Sequence, residues 1–331
     1  MPTPLRRGVP VIAICFALMV AAVLLSPLVG STTIALGRAF SREIPFAENV
    51  DAQIFFIARL PRALAAALVG GTLAAAGVIF QGLLRNPLAT PYTLGVSAGA
   101  SLGAMTAITF GAALPVGGVA GASLAGALLA VAIVYSLARA RHRGISTTVL
   151  LLAGVTLNSF FSALILFVQY LSDYAQTFRA LRWLMGDLDV ASYAPIVAAL
   201  PLVAIAFAGF AWVARPLNVL SLGADAAVSR GVDVERAQRV AFFSASLATG
   251  AAVSVGGPIG FIGIIVPHLV RLLVGADHRL VLPASACFGA AFLVACDAVA
   301  RTAFAPLELP VGIITAVIGG PFFLTLLLRR Q

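Results

Sequence analysis

The chain has 331 residues, 61% of them hydrophobic and only 10% charged. A soluble domain is nearer half apolar and a quarter charged, so these polar residues cannot cover such a core; a soluble globular fold, disorder, collagen, a coiled coil and a disulfide scaffold are all excluded. The net charge is +9 and every one of the 21 basic residues is arginine; without lysine there is no Gly-Lys-Ser/Thr phosphate loop and no Schiff-base site, so any ATP that drives this chain is hydrolysed on another one.

A spanning helix takes about 20 apolar residues. Ten apolar segments follow one another at 10–29, 60–84, 92–110, 114–138, 145–170, 192–214, 238–256, 258–274, 280–300 and 310–328. The expected fold is an all-α integral membrane protein, a ten-transmembrane-helix bundle forming one domain over 1–331. The first segment follows Arg6-Arg7 but is long for a signal peptide and no A-x-A site follows, so an uncleaved span is expected. With the N-terminus in the cytoplasm, alternation gives the inner side fourteen of the 21 arginines against four acids, Asp225, Asp233, Glu235 and Asp277. The reverse topology places those fourteen outside, so the positive-inside rule selects N-in and C-in. The positive charge is thereby explained by topology against lipid, and nucleic acid is not an expected partner.

Small residues recur at helical spacing: Gly70 and Ala74, Gly99 and Gly103, then Gly117, Gly121 and Ala125. In lipid such positions let helix backbones approach closely. The stretches after Arg62 and after Arg239 are similarly alanine-rich, which raises an inverted repeat of the two halves. Cys15, Cys287 and Cys296 fall in apolar runs without CxxC spacing and read as small buried hydrophobes.

The loops carry the chemistry. Outer loop 30–58 is long and mixed, with the composition of a surface helix, and leads into Arg59-Leu60-Pro61-Arg62. Two arginines at a helix end either snorkel to the interface or form a basic socket for a carboxylate, which guanidinium grips with two bonds. Arg301 is a third outer arginine, with Asp297 four residues before it as an i,i+4 partner. The segment around Trp183, with Arg179, Arg182, Asp187 and Asp189, reads as a short amphipathic outer helix. Inside, Arg85-Asn86-Pro87-Leu88-Ala89-Thr90-Pro91 ends the second span, with Asn86 placed to satisfy freed backbone groups. Ser146-Thr147-Thr148 opens the fifth span as cap, gate or both. The inner stretch 221–239 reads as two short amphipathic helices broken at Gly231, lying on the membrane or seated in a groove of a cytoplasmic partner. Gly256-Gly257-Pro258-Ile259-Gly260 and the short eighth span point to irregular backbone lining a cavity. His268 has no second ligand at metal spacing and reads as a structural residue, and no metal site is expected.

No HExxH, GxSxG or paired intramembrane carboxylates occur, so an intramembrane enzyme or a scaffold has no positive support. Ion-coupled carriers bury acids mid-helix. Here Asp297 is the nearest to such a residue, which disfavours the alternative of a stand-alone ion-coupled secondary transporter. A conduit powered by another chain remains.

The segments Arg59-LPRALAAALVGGTLAAAGVIFQGLLRNPLATPYTLGVSAGA, LLLAGVTLN (150–158), RWLMGDLD (182–189), LGADAAVSRGVD (222–233), GPIGFIGIIVPHLVR (257–271) and ELPVGIITAVIGGPFF (308–323), in this order, resemble the FecCD family of ABC-importer permeases. The similarity runs from about residue 50 to the end, and residues 1–50 match only in character. The resemblance implies a homodimeric permease in the bacterial inner membrane, with two ATPase subunits below and a periplasmic substrate-binding protein above. The cargo it implies is an iron-siderophore chelate, haem or cobalamin. No cofactor belongs on this chain, ATP and Mg being the ATPase's. It further implies that Arg59, Arg62 and Arg301 receive carboxylates of the binding protein. Asn86, Leu88, Thr147 and Thr148 take inner-gate positions, with Ser146 less securely matched. The inner segment 222–238, with Leu222, Gly223, Ala224, Asp225, Arg230, Gly231, Val232 and Asp233, takes the place of the ATPase-coupling helices.

Overall fold

The computed structural model describes residues 4–111, 118–139, 147–190 and 192–328, and every regular element among them is helical. Ten long helices follow in order: α1 (Pro4–Leu25), α2 (Leu60–Leu84), α3 (Val96–Phe110), α4 (Gly118–Arg139), α5 (Thr147–Tyr170), α6 (Ala194–Leu220), α7 (Val234–Gly256), α8 (Ile262–Val274), α9 (His278–Thr302) and α10 (Val311–Leu328). Seven are long and apolar enough to cross a membrane; α3, α8 and α10 are apolar but shorter. At 1.5 Å per residue, α3 and α8 reach only about 20 Å, against a hydrocarbon core of about 30 Å.

Their shortness has local causes. The chain leaves α2 at Arg85, in the left-handed region at φ +49°, and Pro91 then opens a 3₁₀ turn (Pro91–Leu94) that Gly95 closes at φ +75°. Expected to start at 92, the third span becomes regular only at Val96. Likewise Gly257 and Phe261, both at positive φ, hold the backbone open after α7, so the eighth span starts at Ile262 and not at 258. In both halves a buried helix is followed by a break and a short helix.

α2 is the centre of the bundle. It is buried almost continuously from Ala63 to Gln81 and packs chiefly against α9 and α7, with α8 and α6 completing its surround. Gly70 and Gly289 meet across α2 and α9, and Gly77 meets Gly263 across α2 and α8, with no room for a Cβ at Gly70, Gly77 or Gly289. Close backbone approach of this kind is what associates helices in lipid, where the hydrophobic effect between them is lost. On α4 the contact face is displaced from the expected one: Gly99 and Gly103 of α3 pack on Gly126 and Ala122, while Ala125 is exposed and Gly117 lies outside the described residues. A spacing of four fixes a stripe but leaves its phase around the helix open. Cys15 and Cys296 are buried and Cys287 half-buried, all three free.

Candidate functional site

At the outer end the expected basic socket is filled from within. Arg59, Arg62 and Arg301 are only 6%, 5% and 3% exposed, and Asp297 is wholly buried between them. Arg62 Nε donates to Asp297 Oδ1 at 2.8 Å and Arg301 Nε to Asp297 Oδ2 at 3.0 Å. Arg62 also reaches the half-exposed Glu308 at 2.5 Å. Arg301 donates further to the carbonyls of Val29 and Ser26 and to Ser26 Oγ. Arg59 has no carboxylate among its bonds; it donates to the carbonyls of Pro27 and Thr32. The i,i+4 pair of Asp297 and Arg301 appears as expected. The three arginines stand together at the outer end, where the protein's own acids and carbonyls engage them. The cause is electrostatic, because three guanidiniums withdrawn from water need acceptors close by. Three cations against two carboxylates still leave the cluster with an excess of one positive charge.

Loop 30–58 folds around this cluster. It holds two four-residue helices, Leu36–Ala39 and Val50–Gln53, and a π turn at Ile54–Arg59 that runs into α2. Phe40, Phe55 and Phe56 pack edge to face with centroids 4.9–5.5 Å apart. The amphipathic outer helix is present at Tyr174–Leu184, started by a capping box between Asp173 and Gln176. Arg182 in it pairs with Asp187 at 2.8 Å and Asp189 at 3.3 Å. Its end is seated on the break after α7, where Gly257 lies against the Trp183 carbonyl, and on the start of α10, where Gly312 N–H donates to Gly186 O at 3.4 Å.

At the inner end, Asn86 Oδ1 accepts from the Leu88 N–H at 2.9 Å. This is the backbone-satisfying role read from the sequence, and it fixes half-buried Leu88 just below α2. Thr147 is the first residue of α5 and Thr148 beside it is exposed; Ser146 lies outside the described residues. Beneath the bundle the connection between α6 and α7 contains one short helix, Ala224–Val228, and not two. The second expected helix is the first turn of α7 itself, capped by Asp233 accepting from Arg236 N–H at 2.9 Å. Gly223 and Gly231 turn the chain at φ +118° and +77°. Ala227 is buried against the bundle, whereas Leu222 and Val228 are 61% and 62% exposed. Asp225, Arg230 and Asp233 are exposed and Val232 half-buried beside them. The segment therefore presents two large apolar side chains and mixed charge away from the bundle.

Two buried polar links near this end escaped the sequence reading. Gln81 of α2 donates to Gly263 O at 2.9 Å and accepts from Arg271 of α8. Asn218 of α6 accepts from His278 N–H at 2.9 Å and donates to Asp277 at 2.6 Å. Gln81 inside an apolar span was the one visible signal, since a buried amide demands partners; its partners lie more than 180 residues away and no local spacing names them. His268 lies edge to face with Phe322 of α10, centroids 6.0 Å apart.

The FecCD transport family model matches residues 18–329, so the correspondence begins well before residue 50. The cobalamin import system permease protein BtuC of Halobacterium salinarum is 45% identical over 299 residues, covering 90% of this chain and 79% of that protein. The hemin transport system permease protein HmuU of Yersinia pestis is 41% identical, covering 82% of each. The ABC transporter permease protein YvrB of Bacillus subtilis is 41% identical, covering 89% of this chain and 83% of its own length. A solved structure described as a metal-chelate type ABC transporter in an inward-facing conformation superposes with a TM-score of 0.82 at 31% identity, covering 97% of this chain and 99% of that one. A chain of the structure of PsaBC from Streptococcus pneumoniae in complex with Fab shares the fold at a TM-score of 0.53 and 18% identity, covering 85% of this chain and 95% of that one. A multi-pass helical bundle with no phosphate loop, matched along nearly its whole length by permeases, has one assignment: the chain belongs to the FecCD transport family.

Proposed function

We propose that this chain is the membrane permease of an ATP-driven importer in the bacterial inner membrane, and that it moves a bulky metal chelate, haem or cobalamin inward by alternating access. The observation that carries the reading is the near full-length match to permeases named for cobalamin and hemin import, at 45% and 41% identity. The absence of lysine fits a chain that leaves ATP and Mg to a partner.

In this reading two copies form the conduit and two ATPases sit below. The exposed Leu222 and Val228 are the apolar anchors that dock on the ATPase, with Asp225, Arg230 and Asp233 setting the orientation. Asn86 and Leu88 after α2, with Thr147 and Thr148 at the start of α5, form the inner constriction that parts when the ATPases close. A binding protein lands on the outer end, where the surplus positive charge of Arg59, Arg62 and Arg301 attracts its acidic groups. Those groups compete with Glu308 for Arg62.

The test is a reconstituted complex of this chain with the ATPase and binding protein encoded beside it. ATP hydrolysis is measured with each candidate cargo. The reading expects one class of chelate or tetrapyrrole, loaded on the binding protein, to raise the rate several-fold. A complex that forms but responds to none of them contradicts it.

A further inference from the structure

Two grooves flank α5 (Thr147–Tyr170), and they differ in the polar groups they carry. One, of about 350 Å³, is bordered by Leu102, Leu129, Phe161, Leu164 and Val168. Its single hydroxyl, on Thr106, is spent on the Leu102 and Gly103 carbonyls. That groove offers a lipid chain only hydrocarbon. The other, of about 400 Å³, has an apolar base of Ala98, Ile165, Leu166 and Leu184 but adds six polar side chains, Tyr92, Ser97 and Ser101 from the 3₁₀ turn and α3 and Asn158, Ser162 and Gln169 from α5.

The three α5 residues lie at i, i+4 and i+11, on one face of the helix. Asn158 and Ser162 are the twelfth and sixteenth of its 24 residues, so they sit at mid-span, and both are exposed. The Tyr92 hydroxyl is buried beside the Ser97 hydroxyl and the Ile259 backbone. Ser97 and Ser101 are 3% and 5% exposed. A carboxamide or hydroxyl left without a partner in hydrocarbon is costly, so this flank of α5 does not face lipid tails. Tyr92 belongs to the non-helical Pro91–Leu94 turn, which presses on α5 next to the groove, where a Cβ at Gly154 would collide with the Thr93 carbonyl and with Leu94. Irregular backbone at membrane depth is tolerated where it is buried in protein or borders a polar path, and this turn is buried on one side and reaches the groove through Tyr92 on the other. Among the residues that border the groove none is charged.

We propose that this groove is a cargo-contact site, a neutral hydrogen-bonding ladder for an electroneutral chelate or macrocycle whose rim carries amide, hydroxamate or hydroxyl groups. The proposal rests on the importer reading above and narrows its cargo. Hydroxyls and carboxamides both donate and accept, as the groups on such a rim do. An anionic rim finds no counter-charge here and loses its hydration without replacement. A volume of about 400 Å³ takes an edge of a metal chelate, leaving its body in the conduit. The apolar groove on the other flank is the internal control: the same helix, at the same depth, carries no free polar group there.

The test uses the permease–ATPase complex in lipid nanodiscs and two probe pairs of matched size. One pair is a neutral ferric trihydroxamate and a trianionic ferric tris-catecholate. The other is a corrin with an amide rim and the same corrin with a carboxylate rim. Equilibrium binding is expected to favour each neutral probe about tenfold or more. The double variant Asn158→Leu/Ser162→Ala is expected to weaken the neutral probes about tenfold, two lost hydrogen bonds each worth a few-fold, while Leu164→Ala in the apolar groove leaves them unchanged. Ser101→Ala, which removes one hydroxyl from the opposite wall, is expected to weaken them a few-fold and serves if the double variant fails to assemble. Equal or tighter binding of the anions, or unaltered binding in the variants, overturns the proposal. So does a double variant that loses only its dimeric state by light scattering, which would assign the ladder to the contact between two copies. ATP-driven uptake by the wild-type complex is measured in parallel: binding as expected without any uptake would refute the importer reading alone, and uptake without effect of the variants would refute the ladder alone.

Discussion

Asp297 lies at the outer end of α9 with one oxygen on Arg62 and the other on Arg301, and none of its surface reaches solvent. Removing its charge leaves Arg301 buried without a counter-ion and Arg62 with Glu308 alone. Asp297→Asn is therefore expected to cost about 3–5 kcal/mol, read as a lowered melting temperature of the detergent-purified protein. The exposed pair Arg239–Glu235, 3.1 Å apart, is the contrast: Arg239→Ala is expected to change stability by less than about 1 kcal/mol. Glu308 tests the competition at the same cluster. Its carboxylate is half-exposed and holds Arg62, so Glu308→Gln is expected to tighten binding-protein docking several-fold, measured by surface plasmon resonance, and Arg59→Ala to weaken it. At this scale the sequence disclosed what lies within one helical turn. The pairing of Asp297 with Arg301 follows from spacing alone, and the Asn86 turn follows from two prolines. The Arg62–Asp297 bond joins residues 235 apart, and no local rule reaches that far, so spacing named Asp297 as the partner of Arg301 and not of Arg62.

Helix number and order were legible because about 20 apolar residues between charged loops is a strong and repeated signal. The breaks before α3 and α8 were visible as proline and glycine; how far they shorten the helices depends on Gly95 and Phe261 entering the left-handed region, which composition does not specify. The phase of α4 was misread for the same reason that stripes are ambiguous: Ala122 and Gly126 touch α3, one position on from Gly121 and Ala125. Two predictions belong here. Gly289→Leu inserts a side chain where α9 meets Gly70 of α2, and is expected to abolish folding, seen as loss of a monodisperse peak on size exclusion. Leu222→Glu with Val228→Glu changes only exposed side chains of the α6–α7 connection. The permease is expected to fold normally and to lose co-purification of the ATPase; retained ATPase would place the coupling surface elsewhere.

The whole molecule is a helical bundle with an apolar core and a buried charged cluster at its outer end, and a sequence without lysine holds no Gly-Lys-Ser/Thr phosphate loop. Composition alone excluded the soluble classes and the phosphate loop, and the even count of spans with fourteen arginines on one side set the orientation. Cargo was not legible in the motifs. The groups that bear on it, from Tyr92 to Gln169, are ordinary serines and amides that acquire meaning only when α3 and α5 bring them to one groove. Under the proposed function this chain is a passive conduit moved by an engine and fed by a carrier that are both separate proteins. Sealed proteoliposomes containing it alone, and others containing it with the ATPase and the loaded binding protein, test this directly by internal cargo concentration after ATP is added. Accumulation above the external level is predicted only in the complete assembly; accumulation by the chain alone, under an imposed proton or sodium gradient, would contradict it.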